Sequence, residues 1–173
     1  MGPFPKSRKG NCHILAIIDG FTEFVALKTV KSTKTKYVID HITTLSATYY
    51  GVPRVLISDQ GSSFTAKKFR DFCHQNNIKH VLNAVATPRA NGQVERLNRT
   101  LLNALLTSTV EEDLWDRELP NVRFAINNAP NKSTGKTPSQ LLFGYGPRKG
   151  VDMVLKVEVS QVHILLEDLV ATR

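Results

Sequence analysis

Five consecutive apolar residues, Ile14 to Ile18, run into Asp19-Gly20, and a second run extends from Phe21 to Val30. An unbroken apolar stretch of this length fits a strand buried on both faces. Asp-Gly between two such runs is a hairpin signal. With two further short apolar segments, the expected strands lie near 13–19, 22–30, 54–58 and 78–82. The period then changes. Val38, Ile42, Leu45 and Tyr49 recur at helical spacing, as do Phe69, Phe72 and Cys73, the segment 93–108, and Trp115, Leu119, Val122 and Ile126. Thr137, Pro138 and Gln140 form a capping box with proline at the first helical position, and Gly144 stands where that short helix would stop. Strands first and helices later fit an α/β or α+β layer better than an all-β or all-α arrangement.

Three acidic residues occupy informative places in this pattern. Asp19 and Asp59 have 39 residues between them, and Asp59 and Glu95 have 35. Asp19 ends the first apolar run. Asp59 follows Val55, Leu56 and Ile57 and precedes Gln60-Gly61-Ser62-Ser63, a turn into a helix. Glu95 leaves the loop Thr87 to Gly92, and the apolar stripe of its helix is Val94, Leu97, Leu101, Ala104 and Leu105. Glu95, Asn98, Arg99 and Leu102 fall on the neighbouring stripe, away from the core.

Ligands of α/β sheets bind beyond the carboxyl ends of strands. Carboxylates from two strand ends and one helix that converged there would make a hard, oxygen-rich site suited to magnesium or manganese. In phosphodiester chemistry two such ions, about 3.5 to 4 Å apart, serve the attacking and the leaving oxygen. The first reading is a metal-dependent enzyme acting on nucleic acid. Each acid also has a plainer role: Asp19 and Asp59 as turn residues, and Glu95 as the i,i+4 partner of Arg99, worth about 0.3 to 0.5 kcal/mol.

Net charge adds modest support. The chain carries +8 at pH 7 with a pI near 9.7, which suits a polyanionic partner without requiring one. Lys6, Arg8 and Lys9 form one basic cluster and Lys31, Lys34 and Lys36 another, with Lys67, Lys68, Arg89, Arg96 and Arg99 nearer the acidic motifs. Contacts from such residues to phosphates position DNA without reading its sequence. Cys12 and Cys73 make no disulfide framework and no zinc-ligand spacing, which points to a reducing compartment. Cys73 is expected as a small buried hydrophobe, and His74 and His80 as surface or loop residues. Nothing approaches eighteen apolar residues and no signal-peptide pattern opens the chain, so a soluble, unsecreted protein is expected.

The wording of four blocks is recognisable. His13 to Phe24 (HILAIIDGFTEF), Ile57 to Phe69 (ISDQGSSFTAKKF), Thr87 to Leu101 (TPRANGQVERLNRTL) and Ala125 to Arg148 (AINNAPNKSTGKTPSQLLFGYGPR) resemble, in order and interval, the catalytic cores of retroviral and LTR-retrotransposon integrases. The resemblance is to the gypsy-type and foamy-virus-type branches and covers residues 1–148. It implies an α/β, RNase H-like fold, a five-stranded mixed sheet flanked by helices, with a fifth strand near 31–36. Residues 149–173 would be a C-terminal linker or extra helix.

The same resemblance implies a polynucleotidyl transferase that integrates element DNA into target DNA by 3′-end processing and strand transfer. Asp19, Asp59 and Glu95 would be its catalytic and metal-binding residues, with two Mg²⁺ or Mn²⁺ ions. Asn91, Asn98 and Arg99, and more weakly Arg89 and Gln93, would touch DNA; Asn91 has the alternative of being only a helix cap. Partners would be element and target DNA and a second copy of the chain, packed through helices near 65–76 and 114–129, although Trp115 is more often core than interface. The place of action would be the nucleus. Relatives of this kind carry a zinc-binding domain before the core and a DNA-binding domain after it, and neither pattern occurs here, so an excised, truncated or domesticated core is expected. The alternative reading is a non-catalytic DNA-binding or dimerisation scaffold. A third, an RNase H-type nuclease, shares the metal site but is disfavoured by the NGQVER block.

Overall fold

In the computed structural model, described over residues 1–82, 88–109, 111–131 and 134–147, β1 (His13–Ile18) and β2 (Val25–Val30) form an antiparallel hairpin, with Ile14 opposite Thr29 and Ile18 opposite Val25. A parallel ladder joins β3 (Val55–Ser58) to β4 (Lys79–Leu82). Helix α1 (Thr35–Leu45) stands between the two ladders in the chain, α2 (Ser62–Thr65) and α3 (Lys67–Gln75) form the crossover from β3 to β4, and α4 (Pro88–Ser108), α5 (Trp115–Asn128) and α6 (Pro138–Phe143) follow. Residues 149–173, expected as a linker or extra helix, lie outside the described residues. Among the described residues no helix is long and apolar enough to cross a membrane.

The alternation of β1 explains its unbroken apolar run. Ile14, Ala16 and Ile18 pack with Val25, Leu27, Leu97, Leu101, Leu105, Trp115, Leu119 and Val122, the cluster under α4 and α5. Leu15 and Ile17, on the opposite face, pack with Val38, Ile42, Phe69, Cys73 and Ile78 under α1 and α3. Successive side chains of a strand point to opposite faces, so a strand between two helical layers must be apolar throughout. Leu101 and Phe69, both 0% exposed, sit at the two centres. Burying a side chain of this size is worth about 1.5 to 3 kcal/mol.

Several expectations change. No strand forms at 31–36: Lys34 is already the N-cap of α1. Instead Met1 to Phe4 runs along the free edge of β1, with reciprocal 3.0 Å bonds between Met1 and Ile14 and a 2.7 Å bond from Phe4 N–H to the Cys12 carbonyl. The segment Thr87 to Gly92 is not a loop in its described part, because α4 starts at Pro88, seven residues before Glu95. Val94, placed on the core stripe, is 44% exposed, as Tyr49 is at 48% in the π-helical turn Ser46–Tyr50 that extends α1. His80 lies in β4, edge-on to Phe69 with centroids 4.9 Å apart, and its Nε2 is 2.9 Å from Ser58 Oγ. Burial lowers its pKa.

The capping box of α6 forms as expected, with Thr137 and Gln140 bonded reciprocally and Gly144 left-handed at the end. Trp115 and Cys73 are buried, and Trp115 Nε1 donates to the Pro5 carbonyl at 2.7 Å.

Candidate functional site

The turn from β1 to β2 is a closed hydrogen-bond unit. Asp19 Oδ2 accepts from the Thr22 N–H and the Thr22 hydroxyl, each at 2.7 Å. The Asp19 N–H donates to the Phe24 carbonyl and the Glu23 N–H to the Asp19 carbonyl, both at 2.9 Å. Thr22 is itself buried. Glu23 then takes a left-handed backbone, φ 59°, uncommon for a side chain of this kind. Its two carboxylate oxygens accept from Gln93 Nε2 at 3.0 Å and Asn131 Nδ2 at 2.7 Å. The turn is thereby tied to α4 and to the segment after α5. Beside it Asn127, almost wholly buried, exchanges two 2.8 Å bonds with the backbone N–H and carbonyl of Val25, standing in for a neighbouring strand.

The turn after β3 is open. Asp59 is exposed, and among the described residues its Oδ1 accepts only the Gly61 N–H, at 2.9 Å. A Cβ at Gly61 would lie 2.9 Å from that oxygen, so any larger residue there would push the Asp59 carboxylate aside. The Met1 ammonium lies within electrostatic reach of Asp59, although burial pulls the pKa of the amine down. Glu95 is exposed on α4 and forms no ion pair with Arg99 or any other described residue.

Among the described residues, no three aspartate, glutamate, histidine or cysteine side chains come together to hold a metal ion. Asp19, Asp59 and Glu95 are all described, and each is positioned by a different element: the turn after β1, the turn after β3 and α4. The donor chemistry of Asp59 and Glu95, exposed carboxylate oxygens in no ion pair among the described residues, suits a hard cation.

The expected DNA contacts also divide. Arg99 is exposed and Asn98 half-exposed, one turn beyond Glu95. Gln93 points the other way, 8% exposed and bonded to Glu23, so it is a strut of the fold and not a free contact. The side chains of Arg89 and Asn91 lie outside the described ones; the backbone of Asn91 is inside α4, so it is not the helix cap. Glu23, Asn127 and Asn131 lie inside the recognisable blocks, but nothing local assigned them a role, because each acts through a partner 70 or more residues away.

Residues 1–88 match the family described as Integrase core domain. The chain is 36% identical over 148 residues to the Pro-Pol polyprotein of feline foamy virus, which covers 83% of this chain and 12% of that protein. It is 33% identical over 143 residues to the Gag-Pol polyprotein of gibbon ape leukemia virus, covering 81% and 8%. The chain thus spans a small part of the length of the curated relatives it matches. Among solved structures it is similar to the catalytic core domain of BIV integrase, with a TM-score of 0.65 at 22% identity over 76% of this chain and 85% of that one. It is also similar to a chain of the simian T-cell lymphotropic virus intasome in complex with the PP2A regulatory subunit B56 gamma, with a TM-score of 0.67 at 22% identity over 83% and 52%. These likenesses show the α/β fold of retroviral integrase cores, which is RNase H-like.

Proposed function

The chain belongs to the integrase core domain family, and from that premise we propose that it is the catalytic core of a polynucleotidyl transferase that joins element DNA to target DNA. The observation that carries the reading is the pair Asp59 and Glu95. One follows a strand and one lies on the exposed face of α4; both are open to solvent and in no ion pair among the described residues. When bound, Mg²⁺ or Mn²⁺ supplies the electrostatic stabilisation of a phosphodiester under attack. The described residues do not by themselves complete a centre for such ions.

The chain's own residues position the nucleic acid. Arg99 and Asn98, beside Glu95, hold phosphates, while the Glu23–Gln93 bond fixes the first turns of α4 and thereby the bearing of Glu95. Asp19 enters this reading as the third carboxylate, on the condition that it ligates through Oδ1 or releases Thr22. The five-stranded sheet belongs to the same proposal: Met1 to Phe4 would be its fifth member, pairing with β1 and bringing Met1 beside Asp59. DNA, a second copy of the chain and a nuclear place of action go with it.

The commitment of Asp19 to its turn favours one rival, a non-catalytic DNA-binding or dimerisation scaffold. Incubating the full chain with Mn²⁺ and a pre-joined branched DNA separates the two. Strand cleavage and rejoining that vanish in Glu95→Gln support the transferase; activity that persists in Glu95→Gln removes Glu95 from it; DNA binding without any reaction supports the scaffold.

A further inference from the structure

Two basic segments that are distant in the sequence meet around one cleft. The approach to α1 and the turn into α2 enclose an open space of about 410 Å³. Ser63 Oγ donates to the Thr33 carbonyl and stitches the two segments together. Lys34 and Lys36 therefore share a wall with Lys68, which lies more than thirty residues further along. All three lysines are exposed, and none is in an ion pair among the described residues, whereas the adjacent Lys67 is matched by Asp71 at 2.8 Å.

Among the described residues no acidic side chain lines the space, and Thr33 and Ser62 border it. Like charges around one concavity repel each other, and the field they focus favours an anion. Ser62 is three residues past Asp59, so a group held there sits beside the open acidic turn. A charged protein surface with no matching acids and several hydroxyl donors is the chemistry that holds phosphate oxygens.

We infer that this cleft holds successive backbone phosphates of a DNA strand as it passes the Asp59 turn. The inference rests on the DNA reading above and extends it to residues outside the acidic pair. Contacts of this kind are blind to sequence and strongly dependent on salt.

The test is the salt dependence of binding to a labelled duplex of arbitrary sequence, with the full chain. Replacing Lys34, Lys36 and Lys68 by Ala together should weaken binding uniformly across sequences and flatten the slope of log K against log[salt] by about 3, one for each phosphate no longer neutralised. A control that removes Lys6, Lys9 and Lys79 lowers the net charge equally and should keep most of the slope. Equal loss in both variants overturns the cleft, since only overall charge is then being read. Wild-type binding that the cleft variant retains overturns it alone. A wild-type chain that binds no duplex overturns the DNA reading and the cleft with it. Inorganic phosphate added at constant ionic strength should leave binding unchanged, and displacement by it would reassign the cleft to free phosphate. Should the triple variant lose its circular dichroism signature, Lys34→Ala and Lys68→Ala are measured singly. Each should then flatten the slope by about 1, and an unchanged slope in both overturns the cleft.

Discussion

The turn after β1 and the turn after β3 each begin with an aspartate and hold a glycine within two residues, yet they use the acid differently. In the first, Asp19 accepts two 2.7 Å bonds from Thr22, and the neighbouring Glu23 is absorbed by Gln93 and Asn131. In the second, Asp59 satisfies one backbone N–H and otherwise faces solvent. An antiparallel hairpin must close on itself within a few residues, and a carboxylate is a convenient acceptor for its amides. A parallel strand leads instead into a helix, and its last side chain need not close anything. An acid at a strand end is therefore available for chemistry in proportion to how little the connection asks of it.

The comparison predicts opposite outcomes for conservative changes. Asp59→Asn and Glu95→Gln should each lower reaction on branched DNA with Mn²⁺ by about a thousandfold or more, equivalent to about 4 kcal/mol of barrier, while the thermal midpoint stays put. A large fall in midpoint would move Asp59 into the structural class with Asp19.

Acid unfolding needs a separate control before it can report on either aspartate. His41 is 5% exposed, and its Nε2 lacks a hydrogen-bond partner among the described residues. Burial, then the charges of Lys28 and Arg123, push its pKa down to about 4, against a hydrogen bond to the Ala26 backbone. Because the unfolded chain protonates this ring near pH 6.5 and the folded one only near 4, stability rises with pH across that window. On acidification through it, up to about 3 kcal/mol should be lost. Urea melts of His41→Leu against the wild type at about pH 7 and about pH 4.5 would show this loss disappear, and an unchanged difference would reassign the acid limb to carboxylates.

Asp19→Ala should cost about 2 kcal/mol, the range for bonds to a charged acceptor, and Thr22→Val should cost part of the same amount without adding to it. A variant that keeps its stability and loses only reactivity would place Asp19 with Asp59 instead. The smallest effect is expected at Glu23→Gly, where relief of the left-handed backbone offsets part of the lost bonds, a net change within about 1 kcal/mol. Reactivity should fall more than that stability change explains if Glu23 aims α4, and the fall should lie in kcat and not in KM.

Much of this frame was legible in the residues. Apolar runs marked β1 to β4 to within about three residues, since burial on both faces leaves few alternatives, and Thr137-Pro138-Ser139-Gln140 announced α6 through its own capping bonds. The missed strand-like segment holds Pro3 between Gly2 and Phe4 and is recognisable only by what it pairs with. Pro88 to Gly92 reads as a loop because Asn91 and Gly92 are poor helix formers, with glycine costing about 1 kcal/mol relative to alanine; α4 overrides that locally. The apolar runs placed Asp19 and Asp59 at strand ends and Glu95 on a helix, as the structure has them, but spacing says nothing about whether a neighbour such as Thr22 has already engaged a carboxylate. Long-range struts such as Glu23–Gln93 leave no local pattern at all.

The pairing of Met1 with Ile14 has one more effect. Because that pairing holds the Met1 amine within electrostatic reach of Asp59, the charge at the amino position of Met1 bears on what approaches the acid. A chain that starts there carries a tethered amine, whose charge opposes the approach of a divalent ion. One that continues through it carries a neutral amide, and the acid is left unopposed. Acetylating the amine should then raise the affinity of Asp59 for Mn²⁺ with no side chain altered.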